Sequence, residues 1–173
     1  MNEERLTMLI IRDMISEDAE EKGFVHYKSW LETYDGLMNP DFLSKHTLEP
    51  CIHIAKTYPE RTIVAIYDHH IVGFAAYLSS CDSKDDRGEV MAIYVLKDYQ
   101  KLGIGKALMD ECINRLHAHD EVSVWVLHNN LAAITWYEKY GFKQDGNKKS
   151  VKVMEDYSLD EVRMSLSIKN IHH

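Results

Sequence analysis

Apolar positions fall in short clusters separated by polar stretches, and their spacing changes along the chain. Leu6 to Ile15 crowds Met8, Ile10 and Ile11 ahead of Arg12 and Asp13 and predicts a first strand. Ser16 then reads as a helix N-cap, followed by Glu17, Asp18 and Glu20 where carboxylates complement the helix dipole. The helix is expected to run through Val25, Trp30 and Leu31 to about Tyr34, and Gly36 ends it. Asn39-Pro40 opens one or two short helices through Phe42, Leu43, His46, Ile52 and Ile54 to about Tyr58, with Pro59 closing the stretch. Thr62–Tyr67 and Ile71–Leu78, parted by Asp68-His69-His70, predict an antiparallel hairpin. Ser79 to Arg87 is polar and reads as a solvated loop. Gly88 to Leu96 is a strand whose run Val90–Val95 is nearly continuously apolar, as expected where both faces are covered.

From Leu102 the period becomes helical. Ile104, Leu108, Cys112 and Leu116 lie four apart, and Met109 and Ile113 widen the stripe. Val122–Leu127 is a strand, and Asn130–Tyr140 is a helix that Gly141 ends in a left-handed position. Two last strands are expected near Ser150–Met154 and Glu161–Ile168. This mixed order predicts an α+β fold: one mixed, mostly antiparallel sheet of about seven strands with helices on both faces. No repeat, low-complexity tract or linker interrupts it, so residues 1–173 read as a single domain with its core between about 6 and 168.

Composition narrows the function. A length of 173 residues suits one domain and buries a core without staples. No apolar run reaches the roughly 18 residues needed to span a bilayer, and Met1–Arg5 lacks the basic-then-apolar pattern of a signal peptide, so no membrane association and a cytoplasmic location are expected. Cys51, Cys81 and Cys112 are odd in number and widely spaced, which suggests neither a disulfide framework nor a zinc knuckle; Cys112 in a helix and Cys81 at a strand end read as packing residues. A net charge of −8 without a basic stripe is poorly suited to nucleic acid and leans toward a cationic small molecule or basic peptide. Ten histidines invite a metal, but His69 and His70 fall in a turn and His117 and His119 are two apart, so no metal is expected.

One stretch carries specific chemistry. The strand Ile93-Tyr94-Val95 runs through a short turn into a helix that opens Gln100-Lys101-Leu102-Gly103-Ile104-Gly105-Lys106. A helix N-terminus offers unpaired N–H groups and a positive dipole end to a phosphate, and glycine lets the backbone approach it. Gln100 and Ala107 depart from the nucleoside-triphosphate loop, and Leu108 departs from the dinucleotide fingerprint. After its strand, the stretch resembles the coenzyme A pyrophosphate loop of the GCN5-related N-acetyltransferases: Arg or Gln, two residues, Gly, one residue, then Gly or Ala. A second match follows. Asn130-Leu131-Ala132-Ala133-Ile134-Thr135-Trp136-Tyr137-Glu138-Lys139-Tyr140-Gly141-Phe142 resembles the family's other signature, again after a strand.

The resemblance implies an acyl-CoA N-acyltransferase fold and acetyl-CoA as co-substrate. It implies backbone contacts to the pantetheine arm at Ile93, Tyr94 and Val95. Pyrophosphate contacts are implied around Gln100, Lys101, Leu102, Gly103, Ile104, Gly105 and Lys106, and further cofactor contacts at Asn130 and Tyr137. The implied reaction is direct attack of an amine on the thioester carbonyl, with acetyl passing to a primary amine of a small molecule, polyamine or peptide. A backbone N–H on the strand Ile93–Val95 would stabilise the oxyanion. Tyr137 is then the candidate general acid for the thiolate, whose ordinary pKa is about 8.5. Glu89 is the candidate general base, since many members carry a glutamate at the start of this strand; a solvated residue at a strand entrance is the alternative. Other members carry a glutamate five residues before the asparagine, which here is Trp125.

The acceptor pocket is expected near Trp30, Tyr34, Phe42 and Tyr77; Trp30 and Tyr34 face one way on a helix, as an amine-binding wall or as plain core. The reading from another class is an acyl-CoA-binding sensor or interaction module without catalysis. The family's habits also raise a homodimer in which the strand from Val162 to Ile168 pairs across the interface.

Overall fold

The computed structural model describes residues 8–79 and 86–169. Seven strands, β1 (Leu9–Asp13), β2 (Thr62–Tyr67), β3 (His70–Ser79), β4 (Arg87–Val95), β5 (Glu121–Leu127), β6 (Lys143–Met154) and β7 (Tyr157–Ser167), form one sheet. Their order is β1-β2-β3-β4-β5-β7-β6. Every pair is antiparallel except β4 with β5. The helices are α1 (Ala19–Tyr34), α2 (Pro40–Leu43), α3 (Leu48–Thr57), α4 (Ile104–Arg115) and α5 (Leu131–Tyr140). This is the α+β architecture expected from the element order.

Strand periodicity sorts the core into two layers. Ile63 and Ala65 of β2 join a cluster with Leu108, Met109 and Cys112 of α4, while Val64 between them joins Val25 of α1 and Ala55 of α3. Successive side chains of a strand point to opposite faces, so β2 and β3 are buried on both. Cys51 and Cys112 are buried free thiols, the latter as its expected packing role requires; Cys81 and most of the loop from Ser79 to Arg87 lie outside the described residues. The helix pair α1·α3 approaches closely at Gly23, where a Cβ would stand 2.7 Å from the Cα of Ile52.

Three expectations are corrected. The first helix is not capped by Ser16, which lies in a 3-10 turn, Ser16–Asp18. Asp18 stands at the N-cap position of α1 without a side-chain cap bond; its Oδ2 accepts the Ile15 N–H at 2.8 Å, and both its oxygens meet the Arg12 guanidinium at 2.7 and 3.0 Å. The Arg12 hydrogen bonds, against the opposing effect of burial, hold the Asp18 carboxyl below its ordinary range. Second, β6 and β7 are longer than the sequence suggested. Third, β7 has no free edge for a dimer partner, because β5 flanks it on one side and β6 on the other. The outer strand is β6, which carries Lys143, Lys148, Lys149 and Lys152 and a register shift around Gly146, features that oppose edge pairing.

At the far end of β4 from its glycine turn, buried His119 ties the α4–β5 corner to the sheet. Its Nε2 lies 2.6 Å from Ser79 Oγ and its Nδ1 2.5 Å from Asp86 Oδ1.

Candidate active site

The parallel pairing of β4 with β5 stops after Arg87↔Glu121, Gly88↔Val122 and Glu89↔Ser123. Beyond it the strands part. A cavity of about 570 Å³ opens between Val90–Val95 on one wall and Trp125–Leu127 on the other. Backbone groups of β4 that a neighbouring strand would have used are thereby left for a ligand. The β3–β4 register also shifts, with Tyr77 opposite Val90 but Ala76 opposite Ala92, so Met91 is an extra residue. Such bulges re-aim side chains and leave a backbone position unpaired. Met91 is 60% exposed and lines the cleft.

At one end of the cleft, residues 97–99 make a 3-10 turn and the chain then reverses through Lys101 (φ 65) and Gly103 (φ 80) into α4. The Gln100 side chain closes the turn by donating to the Val95 carbonyl at 3.1 Å. No side chain caps α4, and its first internal bond runs from Ala107 N–H to Gly103 O. The N–H groups of Ile104, Gly105 and Lys106 are therefore free to meet an anion. A Cβ on Gly103 would meet nothing within 4 Å, so the turn faces open space. This donor set suits a diphosphate. Ile104 is 1% exposed, so it offers only backbone; Lys106 pairs with Asp110 at 2.7 Å.

Asn130 both caps α5, its side chain accepting the Ala133 N–H at 3.2 Å, and lines the cleft. Two turns on, Tyr137 also lines the cleft, edge-on to Trp136 and Phe142. Burial, reinforced by Tyr34 and Cys112, raises its pKa well above the ordinary tyrosine value. It is protonated at neutral pH, the state a proton donor needs. Trp136, which sequence reasoning missed, faces the cleft and stands 3.3 Å from where a Cβ on Gly105 would be.

Of the remaining candidates, Tyr34 lines the cleft, and its hydroxyl lies 2.9 Å from that of Tyr94. Trp30 stands behind it, 4.9 Å from the Tyr34 ring and stacked on His46 at 4.1 Å. Tyr77 does not join them; it packs with the α4-side cluster, and its hydroxyl accepts from Arg115 at 3.4 Å. Glu89 directly precedes the lining, which begins at Val90. Among the described residues no group of three or more His, Cys, Asp or Glu could hold a metal, and no helix is long and apolar enough to cross a membrane.

Comparison with known proteins agrees with this geometry. The chain is 28% identical over 140 residues to the uncharacterized N-acetyltransferase YuaI of Bacillus subtilis, covering 77% of this chain and 79% of that one. It is 31% identical over 116 residues to an N-alpha-acetyltransferase of Sulfurisphaera tokodaii, covering 61% and 66% of the two chains. The fold matches that of the PaiA N-acetyltransferase of Thermoplasma acidophilum in complex with coenzyme A, with a TM-score of 0.67 at 21% identity over 92% of this chain and 99% of that one. Residues 16–142 match the acetyltransferase (GNAT) family. With residues 16–142 matched, the chain belongs to the GNAT family as an acyltransferase.

Proposed function

We propose that this protein transfers the acetyl group of acetyl-CoA to a primary amine by direct attack, without a covalent acetyl-enzyme. The observation that carries the reading is the cleft itself: free amides of α4 stand at one end, an unpaired stretch of β4 forms one wall, and Tyr137 lines the same cavity. An elongated thioester with a diphosphate at one end fits that arrangement. Its phosphates would meet residues 101–106, and its arm would follow Ile93–Val95. Asn130 would contact the arm from the β5 side.

The residues divide the chemistry. Amides near the Met91 bulge are suited to stabilise negative charge on the thioester oxygen. Tyr137, held neutral by burial, donates its proton to the departing thiolate. The aromatic wall around Tyr34 receives the acceptor. Glu89 is the candidate base at the strand's start and stands just outside the lining. One relative is named for N-alpha acetylation, so a peptide α-amine belongs beside small amines and polyamines among the acceptors to test.

Release of free thiol from acetyl-CoA, followed with spermidine, phenethylamine and an alanyl peptide, tests the proposal. Turnover with at least one amine is expected, and Tyr137→Phe should lower kcat on the order of 10²-fold at every pH. Thermal stabilisation by acetyl-CoA with no thiol released would point instead to a binding module.

A further inference from the structure

Cofactor and acceptor must meet along the same stretch of β4, and which amine is taken there rests on the acetyl transfer proposed above. The strand period sorts the lining of the cleft into two faces. Val122, Val124 and Val126 of β5 join the cluster under α4, and Ile93, Val95 and Tyr137 pack against it. That face leads to the glycine turn and suits the cofactor. Trp125 and Leu127 alternate with the valines and point the other way. On β4, Ala92 and Tyr94 pack with the α1 cluster on that second side. There Tyr34, at the end of α1, meets Tyr94 hydroxyl to hydroxyl at 2.9 Å. The side left for the acceptor is therefore walled by Tyr34, Ala92, Tyr94, Trp125 and Leu127.

None of the five is charged. Among the described residues that line the cleft the charged ones are Glu32, Lys97 and Lys101. All three stand at the rim beside the glycine turn, where Glu32 Oε1 accepts the Lys97 N–H at 3.3 Å. Carboxylates behind the β5 wall are already paired: Glu161, opposite Leu127, with Lys149 at 3.4 Å, and Asp145 with Arg163 at 2.6 Å. Glu89, one residue outside the lining, is the candidate base for the reacting nitrogen. A second ammonium on the acceptor would meet no carboxylate of the lining inside the rim, and an unpaired buried charge is costly.

Rings hold this wall from behind. Tyr34 meets Trp30 at 4.9 Å, Trp30 meets Phe42 at 6.1 Å, and Phe42 meets Tyr157 at the start of β7 at 6.0 Å. The Tyr157 hydroxyl in turn accepts the Asn39 N–H at 3.1 Å and so fastens the segment between α1 and α2. Across the cleft, Lys149 Nζ lies 4.3 Å from the Trp125 ring centroid. Walls ordered before binding give up little freedom when a ligand docks.

We propose that the acceptor is a primary amine with a single ammonium on an aromatic or bulky apolar body, and that Trp125 and Tyr34 select it over polyamines and basic peptides. The body covers the two rings, and the nitrogen is carried toward the Met91 bulge, where the thioester oxygen is received. The same chemistry exists in a free arylalkylamine and in the first residue of a peptide, and the test separates the two.

Thiol release is measured with phenethylamine against ethylamine, with a peptide that begins in Phe against one that begins in Ala, and with spermidine. In at least one pair the ring-bearing member should lead in kcat/KM on the order of 10²-fold. It should exceed spermidine by at least about tenfold. A lead confined to the amines identifies a free arylalkylamine, and one confined to the peptides identifies a peptide's first residue. Trp125→Ala should cut that lead to about a tenth, whereas Tyr34→Phe, which keeps its ring, should hold it. Desulfo-CoA affinity by calorimetry should stay within about twofold of wild type in both variants, because both rings lie on the face away from α4. A lead below about threefold in both pairs, or spermidine as the best substrate, overturns the assignment and leaves acetyl transfer intact. An undiminished lead in Trp125→Ala overturns the part given to Trp125. Wild-type protein that releases no thiol with any of these acceptors removes the transfer reading itself.

Discussion

The two halves of the sheet are built by different means. From β1 to β4 the strands are covered twice, by α4 on one face and by α1 and α3 on the other, and the interior is dry enough to perturb its polar groups. Lys22, 4% exposed, has its ammonium 4.3 Å from the Phe74 ring centroid and no ion-pair partner among the described residues; burial lowers its pKa to about 8. His26 has a buried Nδ1 with no hydrogen bond among the described residues, and burial lowers its pKa to about 4. From β5 to β6 the apolar cluster covers one face. The other carries polar and charged groups: Asp145 accepts from Arg163 Nε and Ser165 Oγ, each at 2.6 Å, and Arg87 reaches Ser165 at 2.9 Å. The first half is held by apolar burial that tolerates misfit charges, the second by a hydrogen-bonded network at the surface. The cleft lies between them.

Substitutions can break that contrast. Leu108→Ala removes the α4 side chain that is 0% exposed at the centre of the double-covered half, and should destabilise by roughly 2–5 kcal/mol in urea unfolding. Gly23→Ala would force a methyl against Ile52 backbone, so a loss of about 1–3 kcal/mol is expected despite the better helix propensity. If it stabilises instead, the α1·α3 contact is looser than described.

Lys22→Met should act in the opposite direction. A lysine with a folded pKa near 8 binds fewer protons folded than unfolded, so its penalty is full below about pH 8 and fades as pH rises toward the unfolded value of about 10.4. The variant should gain about 1–3 kcal/mol at pH 7 and little near pH 10.5, measured as the difference in unfolding free energy at each pH. A gain that does not change with pH would mean that the charge is compensated.

Asp145→Asn probes the other half and should have the smallest effect. Burial pushes that carboxyl up, but bonds from Ser165, Asn147 and Arg163 outweigh it and hold it well below the ordinary value. Its contribution is present above about pH 4 and is lost as pH falls further. A deficit of about 1 kcal/mol at pH 7, shrinking toward pH 3 and in high salt, is expected.

The same contrast explains what could be read from the residues alone. In the first half the alternation in Thr62–Tyr67 and the four-residue stripe of α4 report burial directly, and the elements lie close to where the pattern put them. The glycine turn and Asn130 were legible because their roles are local: a left-handed residue at 103, and a cap three residues from Ala133. In the second half the stretch from Lys143 to Lys152 is exposed throughout, so it carries no period to read, and β6 was foreshortened. Ser16 looked like a cap because Arg12 is a strand residue whose claim on Asp18 depends on tertiary placement. The strand order that puts β7 inside the sheet, and Glu161 behind Leu127, is set by pairing across more than thirty residues of sequence, and nothing local encodes it.

The short parallel ladder has a mechanical consequence. Among the described residues three pairs make up the main-chain pairing of β4 with β5, and α4 lies across the join like a splint, with Leu116 packed where Gly88 has no side chain. A side chain at position 88 would press on Leu116 and so disturb the seat of α4 beside that short ladder.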